Sequence, residues 1–242
     1  MPCYSAWVGS PEPLVAEACA RAGFDTVVID LQHGQADELA LVRAAFPVRA
    51  LGVPLIARIP VGAFATASRL IDAGALGVIA PMVNSVADAV AFADAMKYPP
   101  LGRRSFGPNR ACAVGGVDVA GYLATANTEI LAFAMIETRE ALAALDDILA
   151  VPGIDGVFVG PYDLSFTLSG GRGPEVDGAE TVAALRHVAS RAKAAGKFAA
   201  TYAATGAVAK GYAATGYDLV AIASDPGYLE AGARMMLSAA RG

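Results

Sequence analysis

Four stretches of the chain end a short apolar run on a reactive polar side chain, the position where a buried strand comes out of the core. In VVIDLQHG, Asp30 is followed three residues later by His33. An aspartate beside a histidine can set the imidazole tautomer and raise its basicity, as a general base requires. A histidine capping a turn has the same spacing. In PLIARIP, Arg58 ends a run that belongs in the core. A buried guanidinium without a partner is costly. Arg58 therefore either meets an anion, which suits its planar fork, or forms a salt bridge to a strand-end acid. ILAFAMIE ends on Glu137, and GVFVGPYDLS carries Asp163 just past its run. If these runs are adjacent strands, the two carboxylates lie close together. Like charges at one place need a shared proton or a cation. With waters and substrate oxygens they form a hard-cation site suited to Mg²⁺, Mn²⁺ or Co²⁺. The alternative for Glu137 is to cap the helix that follows it.

Other chemistries lack their residues. Lys97, Lys193, Lys197 and Lys210 fall within or beside helical patterns or at a strand start, and none ends a strand. A Schiff-base route needs a lysine in the site. The glycines of GVFVGP and ATGAVAKG have no phosphate-loop spacing. The second histidine, His187, lies off the apolar stripe of Val182, Leu185, Ala189 and Ala192 and reads as a solvated surface residue.

The elements that must position these groups follow a regular alternation. β-rich runs fall near Tyr4–Val8, Thr26–Leu31, Leu55–Arg58, Gly77–Ala80, Ile130–Glu137, Gly156–Gly160, Phe198–Tyr202 and Asp218–Ala221. Alanine-rich helical patterns follow at 11–22, 36–48, 63–73, 85–97, 138–150, 179–195, 205–214 and 226–240. Glycines such as Gly74 close helical runs where a left-handed cap is expected. Strands alternating with helices imply parallel pairing through right-handed crossovers. Eight units predict a single (β/α)₈ barrel over residues 1–242, a length usual for that fold. An open doubly wound sheet is the other arrangement of such units, but no G-x-G-x-x-G follows the first strand. Two connections are long, 98–127 and 168–178, and long loops in a compact barrel are often functional. In barrels the loops after the strands line the active site.

Composition narrows the partners. The chain has a net charge of −5 and no basic stripe, so a nucleic-acid partner is not expected. Its apolar stretches are too short to span a bilayer. The start lacks the charged and apolar regions of a secretory signal, which predicts a cytoplasmic protein. Cys3, Cys19 and Cys112 have neither metal-ligand nor disulfide spacing. A hydrophobic share of 55% hints at surface buried between subunits.

Six motifs, in order and nearly end to end, make the chain resemble a known family. They are FDTVVIDLQHG, PLIARIP, LIDAGALGVIAPMVNSVADA, YPPLGRRSFG, MIETREAL and GIDGVFVGPYDLS. The chain is similar to the class II pyruvate aldolases of the 4-hydroxy-2-oxoheptanedioate / 2-dehydro-3-deoxyglucarate aldolase group. Citrate-lyase-type acyl-CoA lyases and macrophomate synthase are their relatives. The resemblance implies a barrel of the phosphoenolpyruvate/pyruvate type and a divalent metal held by Glu137 and Asp163. It implies a substrate-binding arginine at Arg58, an acid–base pair at Asp30 and His33, and a further arginine at Arg104. Main-chain N–H groups around Pro161, Tyr162 and Asp163 would bind the pyruvate carboxylate, and Asp72 would be supplied to a neighbouring subunit's site. The implied reaction is reversible cleavage of a 4-hydroxy-2-oxoacid to pyruvate and an aldehyde, in a hexamer built as a trimer of dimers. Many members carry glutamate where this chain has Gln32, and many carry a smaller residue in place of Tyr162. Two other readings remain open. One is an acyl-CoA lyase on the same fold, which would need a basic channel from Arg103, Arg104 and Arg110. The other is a non-catalytic binding barrel.

Overall fold

Each apolar run pairs in parallel with the next in sequence, and the last pairs with the first. The computed structural model describes Met1–Gly242 and closes into a barrel. Its strands are β1 (Cys3–Val8), β2 (Thr26–Asp30), β3 (Leu55–Arg58), β4 (Gly77–Ala80), β5 (Leu131–Ile136), β6 (Gly156–Val159), β7 (Phe198–Ala203) and β8 (Leu219–Ile222). The helices are α1 (Pro13–Arg21), α2 (Glu38–Ala50), α3 (Phe64–Asp72), α4 (Val86–Met96), α5 (Asn109–Gly115), α6 (Val119–Glu129), α7 (Arg139–Ala143), α8 (Leu145–Leu149), α9 (Pro161–Leu168), α10 (Ala179–Ala194), α11 (Gly206–Ala214) and α12 (Asp225–Arg241). This is the expected (β/α)₈ fold and not the open sheet.

The two-residue period of a strand decides which side chains face the barrel axis. Trp7, Val28, Ile56, Ile79, Phe133, Met135, Phe158, Ala200, Leu219 and Ala221 fill the interior. One more step in phase, toward the carboxyl ends, brings Asp30, Arg58, Glu137, Gly160 and Tyr202 to the mouth. The alternate residues, among them Val27, Ala57, Val78, Ala134 and Val157, pack outward against the helices. Small helical residues such as Ala16, Ala40, Ala44 and Ala67 are buried there, which lets the helices approach closely.

Three expectations are corrected. The connection over 98–127 is not a loop, because it folds α5 and α6. Its Gly- and Pro-rich start, YPPLGRRSFGP, hides the short helical pattern behind it. The segment after β6 is helix α9, with Pro161 in the first turn where a missing N–H costs little. The single helix expected over 138–150 is two, α7 and α8, meeting at Ala144. Gly74 does adopt a left-handed φ of 114° behind α3, as a cap requires. His187 is exposed on α10. No helix is long and apolar enough to cross a membrane. Helix α12 differs from the others in burying none of its residues. The Tyr228 ring packs on Phe24 at 5.6 Å and its hydroxyl donates to the Ile222 carbonyl, which anchors the first turn.

Candidate active site

The register of β2 and β3 sets Asp30 directly opposite Arg58. Arg58 donates from Nε to Asp30 Oδ1 at 2.8 Å and from Nη2 to Oδ2 at 2.7 Å. Its guanidinium carbon lies 4.7 Å from the Trp7 ring centroid, and Trp7 Nε1 donates to Asp30 Oδ2 at 3.2 Å. The open choice for Arg58 is therefore settled toward a strand-end acid. Its Nη1 makes no hydrogen bond within the chain and remains for the cavity. Burial acts to raise the Asp30 carboxyl. The Arg58 hydrogen bonds and charge, with the N–H groups of Gln32 and His33, outweigh it and hold Asp30 below its ordinary value.

This pairing corrects the expected Asp30–His33 arrangement. Asp30 meets His33 only through the main chain, whose N–H lies 3.4 Å from Oδ1. Both carboxylate oxygens already serve Arg58. The His33 imidazole is exposed at the rim and has no hydrogen-bond partner, so Asp30 does not set its tautomer.

Glu137 lies one residue past β5, in the inward phase, and is 2% exposed within its surroundings. It does not cap the following helix. Thr138 does so, accepting from Ala141 N at 3.0 Å while donating to Asn84 Oδ1 at 2.6 Å. That frees the Glu137 carboxylate for the mouth. Met82, in the loop after β4, donates its N–H to Glu137 Oε1 at 2.8 Å from a left-handed φ of 55°. A side chain at Gly160 would put its Cβ 2.7 Å from Glu137 Oε2, so only glycine leaves room for this carboxylate. Burial and then the nearby charge of Asp163, against the Met82 hydrogen bond, push Glu137 up to about 7. Asp163 is exposed in the first turn of α9 and has no ion-pair partner.

The donor set fits a divalent cation. The charge of Asp163 reaches the buried Glu137 carboxylate, neither forms a salt bridge, and no third His, Cys, Asp or Glu joins them.

A cavity of about 370 Å³ opens at this end of the barrel. Asp30, His33, Arg58, Pro161, Tyr162 and Asp163 line it, while Glu137 does not and lies behind the lining residue Gly160. Pro161 has no N–H, so any main-chain donors there belong to Tyr162 and Asp163. Trp7, Phe158, Tyr202, Ser224 and Asp225 are among the other lining residues and were not anticipated. Trp7 and Tyr202 were legible as inward-phase residues of SAWV and FAATYA. Met82 and Asp225 carried no such signal, because loop contacts place them. Asp225 accepts the N–H groups of Gly9 and Ser10, at 2.9 Å each, and so ties the start of α12 to the loop after β1.

Two expected site residues lie elsewhere. Arg104 is 4% exposed and donates from Nη2 to Asp72 Oδ1 at 2.5 Å and to the Tyr122 hydroxyl at 3.0 Å. It stacks on Tyr98 at 4.4 Å. Asp72 closes α3, at the end of the barrel away from the mouth, and desolvation outweighs Arg104 to leave its carboxyl raised. Neither residue lines the cavity of its own chain, because helices return to the opposite end of a barrel from the strand tips. The arginines for a nucleotide channel are also dispersed. Arg103 pairs with Asp94 at 3.4 Å, and Arg110 donates to the Val42 carbonyl at 2.6 Å.

A closed parallel barrel with a carboxylate pair and a clamped arginine at its carboxyl-end mouth defines an enzyme of the (β/α)₈ class. The chain belongs to the HpcH/HpaI aldolase/citrate lyase family, which it matches over residues 4–230. It is 44% identical to a hydroxypyruvate/pyruvate aldolase of Rhizorhabdus wittichii, over 99% of this chain and 94% of that one. It is 32% identical to a 2-keto-3-deoxy-L-rhamnonate aldolase of Salmonella gallinarum, over 90% of this chain and 81% of that one. Among solved structures, an HpcH/HpaI aldolase/citrate lyase family protein from Burkholderia cenocepacia superposes with a TM-score of 0.89. It is 28% identical and covers 100% of this chain and 95% of that one. The protein is an aldolase, a carbon–carbon lyase.

Proposed function

We propose that this aldolase cleaves 4-hydroxy-2-oxoacids reversibly to pyruvate and an aldehyde, with a divalent metal held by Glu137 and Asp163. The observation that carries the reading is the buried Glu137 carboxylate, in no salt bridge and pushed up by burial and by the charge of the equally unpaired Asp163. When bound there, Mg²⁺, Mn²⁺ or Co²⁺ supplies a Lewis acid for the 2-oxoacid oxygens. Arg58, held by Asp30 and Trp7, directs Nη1 toward the oxygen on which enolate charge develops. The N–H groups of Tyr162 and Asp163, in the first turn of α9, receive the substrate carboxylate. His33 takes the proton of the C4 hydroxyl. The C3–C4 bonding pair passes to C3, the C4 oxygen becomes the aldehyde carbonyl, and the enolate is then protonated at C3. Asp72 and Arg104 pair outside the cavity of their own chain, a place from which Asp72 would serve a neighbouring subunit's site in the oligomer.

The test follows pyruvate release from a 4-hydroxy-2-oxoacid by chelator-stripped protein, with and without each metal. Release only with metal, abolished in Glu137→Ala and Asp163→Ala, supports the reading. Equal release in metal-free protein overturns it.

The exposed apolar side chains of α12, Leu229, Met235, Met236 and Leu237, support a homo-oligomer, for which we propose the trimer-of-dimers hexamer. Sedimentation velocity distinguishes a hexamer from smaller species.

A further inference from the structure

We propose that the outer half of the mouth cavity is an acceptor subsite for uncharged aldehydes, which discriminates against aldehydes carrying a carboxylate. Tyr202 and Tyr162 are its specificity-determining residues. The inference rests on the aldolase reading given above and adds the class of aldehyde.

The cavity has two unlike sides. The reacting side carries Asp30, Arg58 and Asp163, with Glu137 behind Gly160. Beside it, Tyr202 and Tyr162 form an aromatic wall, 6.2 Å apart and edge-on. Trp7, the ring that carries Arg58, backs Tyr202 edge-on at 5.8 Å and lies tilted against Phe158 at 5.6 Å. Such rings bury apolar carbon well, and phenols offer a polar tip to a hydroxyl. The Tyr202 hydroxyl has no hydrogen-bond partner within the chain.

The charge balance gives the discrimination. Arg58 is the one permanent cation in the lining, and two of its N–H groups are taken by Asp30. Asp225 adds negative charge, while Asp163 is committed to the metal. No lysine reaches the cavity, and Arg103, Arg104 and Arg110 have partners elsewhere. A carboxylate at the far end of an acceptor would leave water for aromatic faces beside Asp225, with no free permanent cation to pair it. Both the desolvation and the like charges oppose that. A neutral alkyl or hydroxyalkyl aldehyde meets neither obstacle.

The experiment compares a chain-matched pair in the aldol direction, butanal against 4-oxobutanoate, each with pyruvate and Mn²⁺. The expected kcat/KM is at least tenfold higher for butanal. Placing a guanidinium on the aromatic wall, in Tyr202→Arg, should raise kcat/KM for 4-oxobutanoate tenfold or more and lower it for butanal. Tyr162 is exposed, so Tyr162→Arg repeats the test in a position that folding tolerates. Exchange of the pyruvate C3 hydrogens in D₂O, without any aldehyde, reports the enolate machinery separately. Exchange together with equal or better use of 4-oxobutanoate overturns the proposal and leaves the aldolase reading standing. Absence of exchange with every metal overturns that reading, and the proposal with it.

Discussion

The main-chain N–H of Met82 points at Oε1 of Glu137 from 2.8 Å, and Met82 holds a left-handed backbone to do so. Only one other non-glycine residue, Ala223, has a positive φ, and it too lies just past a strand end at the mouth. Residues in such conformations cost on the order of 1–3 kcal/mol and persist where the surroundings demand them. Met82→Gly keeps the N–H and relieves that cost, so Mn²⁺ affinity should stay within about twofold. Met82→Val puts a β-branched residue where it fits worst. Its Mn²⁺ Kd should rise about tenfold, equivalent to about 1.4 kcal/mol. Calorimetric titration of chelator-stripped protein reads both, and an unchanged Kd in the valine variant removes Met82 from the account.

Glu137 makes the metal-free protein sensitive to pH. Its carboxyl has an ordinary value of 4.5 and is pushed to about 7 in the fold, first by burial and then by Asp163. The folded state therefore holds the proton more tightly than the unfolded chain. Its stabilising contribution is complete below 4.5 and is lost as pH rises through about 7. The difference is on the order of 3 kcal/mol. Thermal melts of metal-free protein should show that decline over this window, and Glu137→Gln should flatten it. Metal competes with the same proton, so its binding should strengthen through the same range. An equal slope in the glutamine variant would assign the effect to another group.

Asp30 and Arg58 are both nearly buried, with side chains 6% and 10% exposed. Removing one partner strands the other charge, which typically costs about 3–5 kcal/mol. Asp30→Ala should show that loss in urea unfolding. Asp30→Ala with Arg58→Met should recover most of it while remaining inactive. If the double variant is no more stable than the single, the loss does not come from the stranded guanidinium.

His33 forms no metal-ligand group with Glu137 and Asp163, and its side chain makes no hydrogen bond. Acid–base groups contribute about 10²–10⁴-fold. His33→Ala should lose turnover on that scale with unchanged Mn²⁺ affinity and melting temperature. A folded His33→Ala protein that fails to bind metal would shift His33 into the metal site.

The barrel was readable because period-2 runs alternate with helical runs eight times, and six of the eight strand assignments differ from the structure only at their ends, the third and fourth not at all. The same period placed Asp30, Arg58 and Glu137 in one layer. Partner choice was not readable. Asp30 serves Arg58 instead of the nearby His33, because cross-strand register outranks nearness in sequence. Helix α9 was hidden by Pro161, which reads as a break and acts as a start. Arg104 and Asp72 attract notice by motif, but helix-end geometry sends them to the other end of the barrel. Met82 was invisible, since a main-chain donor leaves no mark in side-chain chemistry.

At the base of the barrel, Lys97 is wholly enclosed, with its Nζ on Asp155 at 2.7 Å and on the carbonyls of Ile130 and Asn127 at 2.6 and 2.9 Å. Desolvation lowers it against the pull of Asp155. These bonds join the α4 end to the α6 end, so the whole α5–α6 excursion closes on one ammonium. Amine-reactive reagents can reach Lys193 and Lys210 on the surface but not Lys97 while that closure holds. The rate at which Lys97 becomes labelled is therefore a built-in clock for opening of the excursion, readable by mass spectrometry in the unaltered protein.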